Sequence, residues 1–268
     1  MTRSAPRPPR RPAAHDRGEG PPVVWLFGLH AVRDALLNPA RVKRRLILTL
    51  NAANRLGEDA LAAAESAGLT PETADPRRFP APIDPQSVHQ GAALEAAPLD
   101  WGPVEEACAP RSPQDLVVLL DRVTDPHNVG AVLRSAEVFG ARAVIAPFRH
   151  SAPETGALAK TASGALERQP YLRVRNLAAA METLKDLGYA IVGLDGAAPR
   201  PLAETLGAQP PGPVALALGA EGPGLRERTR ETCDALAAIP SATAFASLNV
   251  SNAAAVALYA ARLARPPA

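Results

Sequence analysis

From Val23 onward the chain alternates short, nearly continuous apolar runs with stretches whose apolar positions recur every three or four residues. Six runs beyond residue 114 read as strands: LVVLLDRV, RAVIAP, QPYLRV, YAIVGLDG, VALALG and ALAAIP. Helical spacing between them predicts helices at about Val129–Phe139, Glu154–Ser163, Leu177–Leu187, Leu225–Cys233 and Asn252–Leu263. Strands apolar on both faces, alternating with helices, predict a mostly parallel sheet covered on both sides. Ligands of such sheets bind at the C-terminal ends of the strands.

The earlier segment has a different texture. WLFGLHAVRDALL gives a short apolar entry and then Val32, Leu36 and Leu37 at helical spacing, and VKRRLILTL is a β-rich run. A helix from about Asn54 to Ser66 ends before Gly68, and VHQGAALEAAP reads as a strand. Residues 23–97 are therefore expected to form a small α/β domain and residues 115–268 a larger one. Between them 98–114 reads as a linker, because Asp100 to Gln114 mix Gly, Pro and charge without periodicity. Residues 1–22 set Arg3, Arg7, Arg10, Arg11 and Arg17 against Asp16 and Glu19, with many prolines and no apolar period. They are expected to be a disordered basic Pro-rich tail, either attracted to a phosphate backbone or simply solubilising.

Composition narrows the function classes. At 268 residues and 47% hydrophobic, the chain can bury two cores, and its net charge of +2 is concentrated in no large field beyond the tail. No apolar run approaches the roughly 18 to 20 residues of a membrane helix, so a soluble, cytoplasmic protein is expected. Cys108 and Cys233 lack metal-type spacing, which predicts two reduced thiols and no structural metal.

Three strand-to-helix corners look chemical. In DPHNVGAVLRSA the stripe Val129, Val132, Leu133 and Ala136 fixes a helix against the sheet and leaves Asn128 and Arg134 near the strand ends. Asn128 is either the helix cap or a site group. In LGAEGPGLRERT, Gly219, Gly222 and Gly224 permit close backbone approach beside Glu221. The stretch has neither the G-K-[ST] of a P-loop nor G-x-G-x-x-G, and Ile239 stands where a dinucleotide site wants an acid, which argues against NAD. In IPSATAFASLNVSNAAAVALYAARLA, Ser247, Asn249, Ser251 and Asn252 exceed what capping one helix requires.

Taken together these three corners, over about residues 115–264, resemble the signature motifs of the SpoU family (SPOUT class, TrmH type) of RNA 2′-O-ribose methyltransferases. FGLHAV and VHQG, at 27–32 and 88–91, resemble the RNA-substrate-binding domain attached to a bacterial ribosomal RNA subgroup, although PQSVHQG replaces the usual small-residue lead-in. The resemblance implies a C-terminal trefoil-knotted α/β methyltransferase domain and a small N-terminal α/β RNA-substrate-binding domain. It also implies S-adenosyl-L-methionine bound among the knotted loops, and a homodimer whose sites are shared between subunits. Gly219, Ile239 and Leu248 match the positions that hold the cofactor; Asn128, Arg134, Glu221, Ser247 and Asn249 match the polar active-site set.

The implied reaction is methyl transfer to a ribose 2′-hydroxyl, with a guanosine of 23S rRNA as the leading substrate. A transfer RNA substrate, or a non-catalytic role in ribosome assembly, are the alternatives. The resemblance gives Arg134 the role of base. Because guanidinium groups hardly ever deprotonate in proteins, a phosphate-holding and alkoxide-stabilising role is the preferred reading. RNA binding is expected to rest on shape and phosphate contacts, since aromatics at 4% argue against a stacking platform. The run Arg41, Lys43, Arg44, Arg45 reads as an RNA contact or a solvated strand edge, and His89 with Gln90 as an RNA contact or a structural turn.

Overall fold

The computed structural model describes residues 22–84, 86–242 and 247–264; the basic tail, apart from Pro22, lies outside the described residues. The first half builds a four-stranded sheet from β1 (Val24–Phe27), β2 (Lys43–Leu48), β3 (Glu72–Thr73) and β4 (Ala92–Ala96) in the order β1-β4-β2-β3. Helices α1 (Leu29–Leu37), α2 (Leu50–Leu56) and α3 (Glu58–Ser66) accompany it. The single helix expected over Asn54–Ser66 is two helices. Gly57, at φ 97°, breaks the register, and Thr49 caps α2 by accepting from the amide of Ala52.

FGLHAV and VHQG meet in this unit. Gln90 Oε1 accepts from the amide of Leu29 at 3.1 Å, satisfying the start of α1, and the Gly28 amide donates to Ala92 O. His89 Nδ1 accepts from the Gly91 amide at 3.1 Å while its ring stacks on Phe79 at 4.1 Å, and burial holds its pKa below the ordinary value. A Cβ on Gly91 would lie 2.2 Å from Thr49 Oγ1. Of the two readings of His89 and Gln90, these contacts favour the structural turn.

The second half is a six-stranded, all-parallel sheet. Its strands are β5 (Leu116–Asp121), β6 (Ala143–Pro147), β7 (Tyr171–Val174), β8 (Ala190–Leu194), β9 (Val214–Gly219) and β10 (Ala235–Ala237), in the order β10-β8-β9-β5-β6-β7. The helices are α5 (Pro126–Val138), α6 (Gly156–Ala162), α7 (Leu177–Asp186), α8 (Leu202–Ala208), α9 (Glu227–Thr232) and α10 (Val250–Ala264). Leu116, Val118 and Leu120 face one core with α5, α6, α8 and α10; Val117 and Leu119 face a second with α7. This two-sided burial is why the strands read as continuous apolar runs. The helix α8 was not legible: with only seven residues it carries less than two full turns of periodicity.

The stretch read as a linker at 98–114 is strapped down rather than free. It contains α4 (Val104–Ala107), and Cys108 is fully buried in the second core. Tyr189 donates its hydroxyl to Cys108 O at 2.9 Å and Arg262 holds Gln114 O at 2.8 Å. Both cysteines are unpaired, and burial pushes each thiol up to about 12.

The two halves share one hydrophobic core and one buried ion cluster. A Cβ on Gly156, at the start of α6, would fall 2.2 Å from the Phe27 ring, so α6 packs directly on β1. The side chain of Arg41 is completely buried, where it pairs with Glu154 and, at 2.5 Å, with Glu167. It also donates to Ala97 O at 2.9 Å, and Asn38 Nδ2 supports Glu167 at 2.9 Å. This removes Arg41 from the basic run as an RNA contact, while Lys43, Arg44 and Arg45 stay partly exposed. Arg41 is an internal strut, Arg45 is held bidentately by Glu72 at 2.6 and 2.7 Å, and Lys43 donates to Asn38 O at 2.7 Å. No helix among the described residues is long and apolar enough to cross a membrane.

Removing one partner of a buried ion cluster leaves an uncompensated charge, which costs about 3–5 kcal/mol. Arg41→Met should lower the urea-unfolding free energy by that amount, and Arg45→Met, at a solvent-screened pair, should leave it nearly unchanged.

Candidate active site

The chain runs outward from β5 to β7 on one side and returns through β8 to β10 on the other, so β5 and β9 flank the point where the strand order reverses. Asp121 and Gly219, the last residues of these strands, are direct neighbours in the sheet. Crevices at such switch points are the usual ligand sites of open α/β sheets.

Asp121 was not singled out in the sequence, although an acid ending the apolar run LVVLLD was a visible anomaly. It is 1% exposed. Its carboxylate accepts from the Arg226 amide at 2.9 Å, Arg226 Nε at 2.7 Å and Thr229 Oγ1 at 2.7 Å, clamping the far end of the loop after β9 onto β5. Within that loop Gly224 donates to Ala220 O at 2.9 Å, and Gly222 and Gly224 take φ of 83° and 70°. A Cβ on Gly219 would sit 2.0 Å from the carbonyl carbon of Gly224, so two backbone segments touch here with no room for a side chain.

The helix α5 is capped by Asp125, whose Oδ1 accepts from the His127 amide at 2.8 Å, with Pro126 at the first helical position. Asn128 is therefore not the cap and is free to face the other loops. A Cβ on Gly130 would lie 2.8 Å from Leu158 O, so the glycine lets α5 lie hard against α6.

The three corners converge on one carboxylate oxygen. Glu221 Oε1 accepts from Asn128 Nδ2 at 3.2 Å, Asn249 Nδ2 at 2.5 Å and the Val250 amide at 3.4 Å. Asn249 Nδ2 also reaches Asn128 Oδ1 at 2.9 Å. The oxygen of the Asn249 side chain caps α10, accepting from the amide and hydroxyl of Ser251 at 2.9 and 2.6 Å. Asn249 and Ser251 thus serve the helix start, and Asn249 links it to the other two loops.

Beside this junction a cavity of about 710 Å³ is lined by Gly219, Glu221, Ile239, Ser247, Leu248 and Asn249, among others. Its volume suits a ligand of cofactor size. Leu218, Leu225 and Val250 add apolar wall, while Asp195 and Arg230, paired with each other, add one charge of each sign. Residues 243–246 of the third motif lie outside the described residues. Arg134 is exposed on α5, does not line the cavity, and makes no hydrogen bond or ion pair among the described residues. No cluster of three metal-ligating side chains occurs among the described residues.

The same segments are recognised by comparison with known proteins. Residues 115–259 match the model of the SpoU rRNA Methylase family, and residues 25–101 that of the RNA 2′-O ribose methyltransferase substrate-binding unit. The chain belongs to the SpoU family. The 23S rRNA (guanosine-2′-O-)-methyltransferase RlmB of Ralstonia nicotianae is 41% identical over 244 residues, covering 87% of this chain and 93% of that protein. The protein of the same name from Pseudomonas putida is 39% identical over 247 residues, covering 87% and 94%.

Among solved SpoU-type structures, the rRNA methyltransferase of Sinorhizobium meliloti with AdoMet bound superposes with a TM-score of 0.76 at 22% identity, covering 91% of this chain and 88% of that one. AviRb of Streptomyces viridochromogenes gives 0.75 at 22%, covering 91% and 90%. At these identities the likeness concerns the fold.

Forcing a methyl group into a close backbone crossing typically costs about 1–3 kcal/mol. Gly219→Ala should destabilise the SpoU-family fold by that much in urea unfolding. Gly207→Ala, in α8 with nothing within 4 Å of the new Cβ, should instead be neutral or stabilising by up to about 1 kcal/mol.

Proposed function

We propose that this chain transfers a methyl group from S-adenosyl-L-methionine to a ribose 2′-hydroxyl of a guanosine in 23S rRNA. The observation that carries the reading is the hydrogen-bonded meeting of Asn128, Glu221 and Asn249, one from each motif, beside a cavity lined by Gly219, Ile239 and Leu248. Agreement over 87% of the chain with relatives named for 23S rRNA favours ribosomal over transfer RNA. The complete polar set argues against a purely binding role in ribosome assembly.

The cavity fits the cofactor. Ile239, Leu248 and Leu218 offer apolar wall for a purine, the glycine-lined loop offers backbone groups without side chains in the way, and Asp195 with Arg230 offers both charges that a zwitterionic amino acid requires. When bound, the cofactor supplies a methyl carbon already made electrophilic by its sulfonium. The protein's task is then alignment, which can lower a barrier by about 7–11 kcal/mol, and charge stabilisation. Glu221 holds the two asparagines in fixed orientation, and Ser247 stands with them at the cavity wall to orient the ribose. Arg134 steadies a backbone phosphate and stabilises the developing alkoxide.

Arg134 stands away from the cavity of its own chain, and its surroundings support a homodimer that would bring it to a neighbouring site. Val256, Tyr259 and Leu263 form an exposed stripe along α10, with Val138 of α5, four residues beyond Arg134, 72% exposed. Phe139 and Tyr259 rings lie 6.2 Å apart, joining the two helices into one apolar surface. Such a surface rimmed by charge is typical of an interface. The trefoil knot belongs to the same proposal and rests on membership of the SpoU family. A cytoplasmic location follows from an rRNA substrate.

Labelled methyl from S-adenosylmethionine should appear in unmodified 23S rRNA and not in transfer RNA. Arg134→Ala should reduce the rate about 10²- to 10³-fold, the usual cost of a lost charge-stabilising donor. A parental rate in the variant would remove Arg134 from the chemistry.

A further inference from the structure

The C-terminal edge of the large sheet carries a second feature that the methyl-transfer reading leaves unused. In the sheet Leu119 is level with Ile145 and Pro147 with Val174, so the chain leaves β5, β6 and β7 at one height, as Arg122, Phe148 and Arg175. Gly219, two residues before Glu221, is level with Asp121 in the same row. The segments Arg122–Thr124, Phe148–His150 and Arg173–Arg175 contain four arginines, one histidine and no acid.

Arg122, Phe148, Arg149, His150 and Arg175 are all exposed. Phe148 is 58% exposed, and the guanidinium of Arg173 lies 4.4 Å from its ring centroid while donating to Phe148 O. One face of the ring is therefore backed by a cation that its own carbonyl holds in place. Arg122 and His150 both take left-handed backbone, φ 63° and 60°, which is uncommon for a residue other than glycine, so the chain turns soon after it leaves β5 and β6.

We propose that this edge is a single-nucleotide shelf: Phe148, backed by Arg173, stacks on an unpaired base beside the methylated nucleotide, and Arg122, Arg149 and Arg175 take the flanking phosphates. The proposal rests on the RNA methyltransferase reading and adds to it the part of the protein that grips the strand next to the target. Strands in a sheet lie about 4.8 Å apart, so Phe148 stands two strands, roughly 10 Å, from the Glu221 loop. That is a reach of one or two nucleotides. One exposed ring is no platform for a long strand, which accords with the low aromatic content, but it suffices for one splayed base of a loop or bulge, the form in which proteins read RNA sequence. A ring already stacked on a guanidinium loses little freedom on receiving a base.

The test uses the full-length protein and in vitro-transcribed 23S rRNA, with methyl transfer and filter-bound RNA affinity measured in parallel. Base stacking on one aromatic is worth about 5- to 150-fold in affinity. Phe148→Ala should raise KM for RNA, and the RNA Kd, within that range while kcat and S-adenosylmethionine affinity stay unchanged; Phe148→Trp should restore both. Arg149→Ala should lower the slope of log affinity against log salt by about one. If the wild type transfers methyl groups but Phe148→Ala and Arg149→Ala match it in KM, Kd and salt slope, the shelf is wrong and the reaction stands. If the wild type binds the RNA without transferring methyl groups, the reaction is wrong, and the variants' Kd values still decide the shelf.

Discussion

A single oxygen of Glu221, shared by Asn128, Asn249 and the first amide of α10, ties its own loop to two others whose asparagines are 93 and 28 residues away in sequence. Those loops leave β5, β9 and β10, and because every strand of the sheet runs the same way, all three emerge on one side. The sheet thus supplies proximity and the carboxylate supplies registry. Around it, Asp121 pins the far end of the glycine loop, and the missing side chain of Gly219 lets that loop fold back against its own strand. Removing the acceptor would leave two asparagine amides and a helix terminus competing for water, and the cavity wall would lose its fixed edge.

The small N-terminal unit depends on a different constraint. Arg41 has no exposed side-chain surface, and its partners Glu154 and Glu167 belong to the segment around α6. Burial pushes the Glu154 carboxyl above its usual pKa even beside that arginine. Together with the contact of α6 on Phe27 this makes the two halves one packed body. An RNA gripped by the small unit would then be held at a fixed distance from the cavity rather than on a loose tether.

What the sequence displays and what it hides divide along the range of the interactions. The six strands of the large sheet, and the helix bearing Val129, Val132 and Leu133, were visible because their burial is periodic along the chain. The three motifs were visible as unusual residues at strand ends. Arg41 looked like a surface charge in a basic run, since its acidic partners lie 113 and 126 residues away and nothing local marks burial. At Asp121 the acid ending an apolar run is visible locally, but its clamp on Arg226 spans 105 residues and is not. Asn128 was open to being read as a cap because Asp125, three residues earlier, is an equally good one; only the observed bond to His127 decides between them. The strapped segment at 98–114 looked like a linker because it is held by carbonyl groups, which carry no residue signature.

The central claim is that these loops present a ribose hydroxyl to an electrophilic methyl group. The most direct measurement is nucleoside mass spectrometry of 23S rRNA after incubation with the protein and S-adenosylmethionine, paired with alkaline hydrolysis of the same RNA. The account predicts 2′-O-methylguanosine as the new nucleoside and one phosphodiester made resistant to alkali, since the blocked hydroxyl can no longer attack it. A methyl group found on a base, with every phosphodiester still labile, would contradict it.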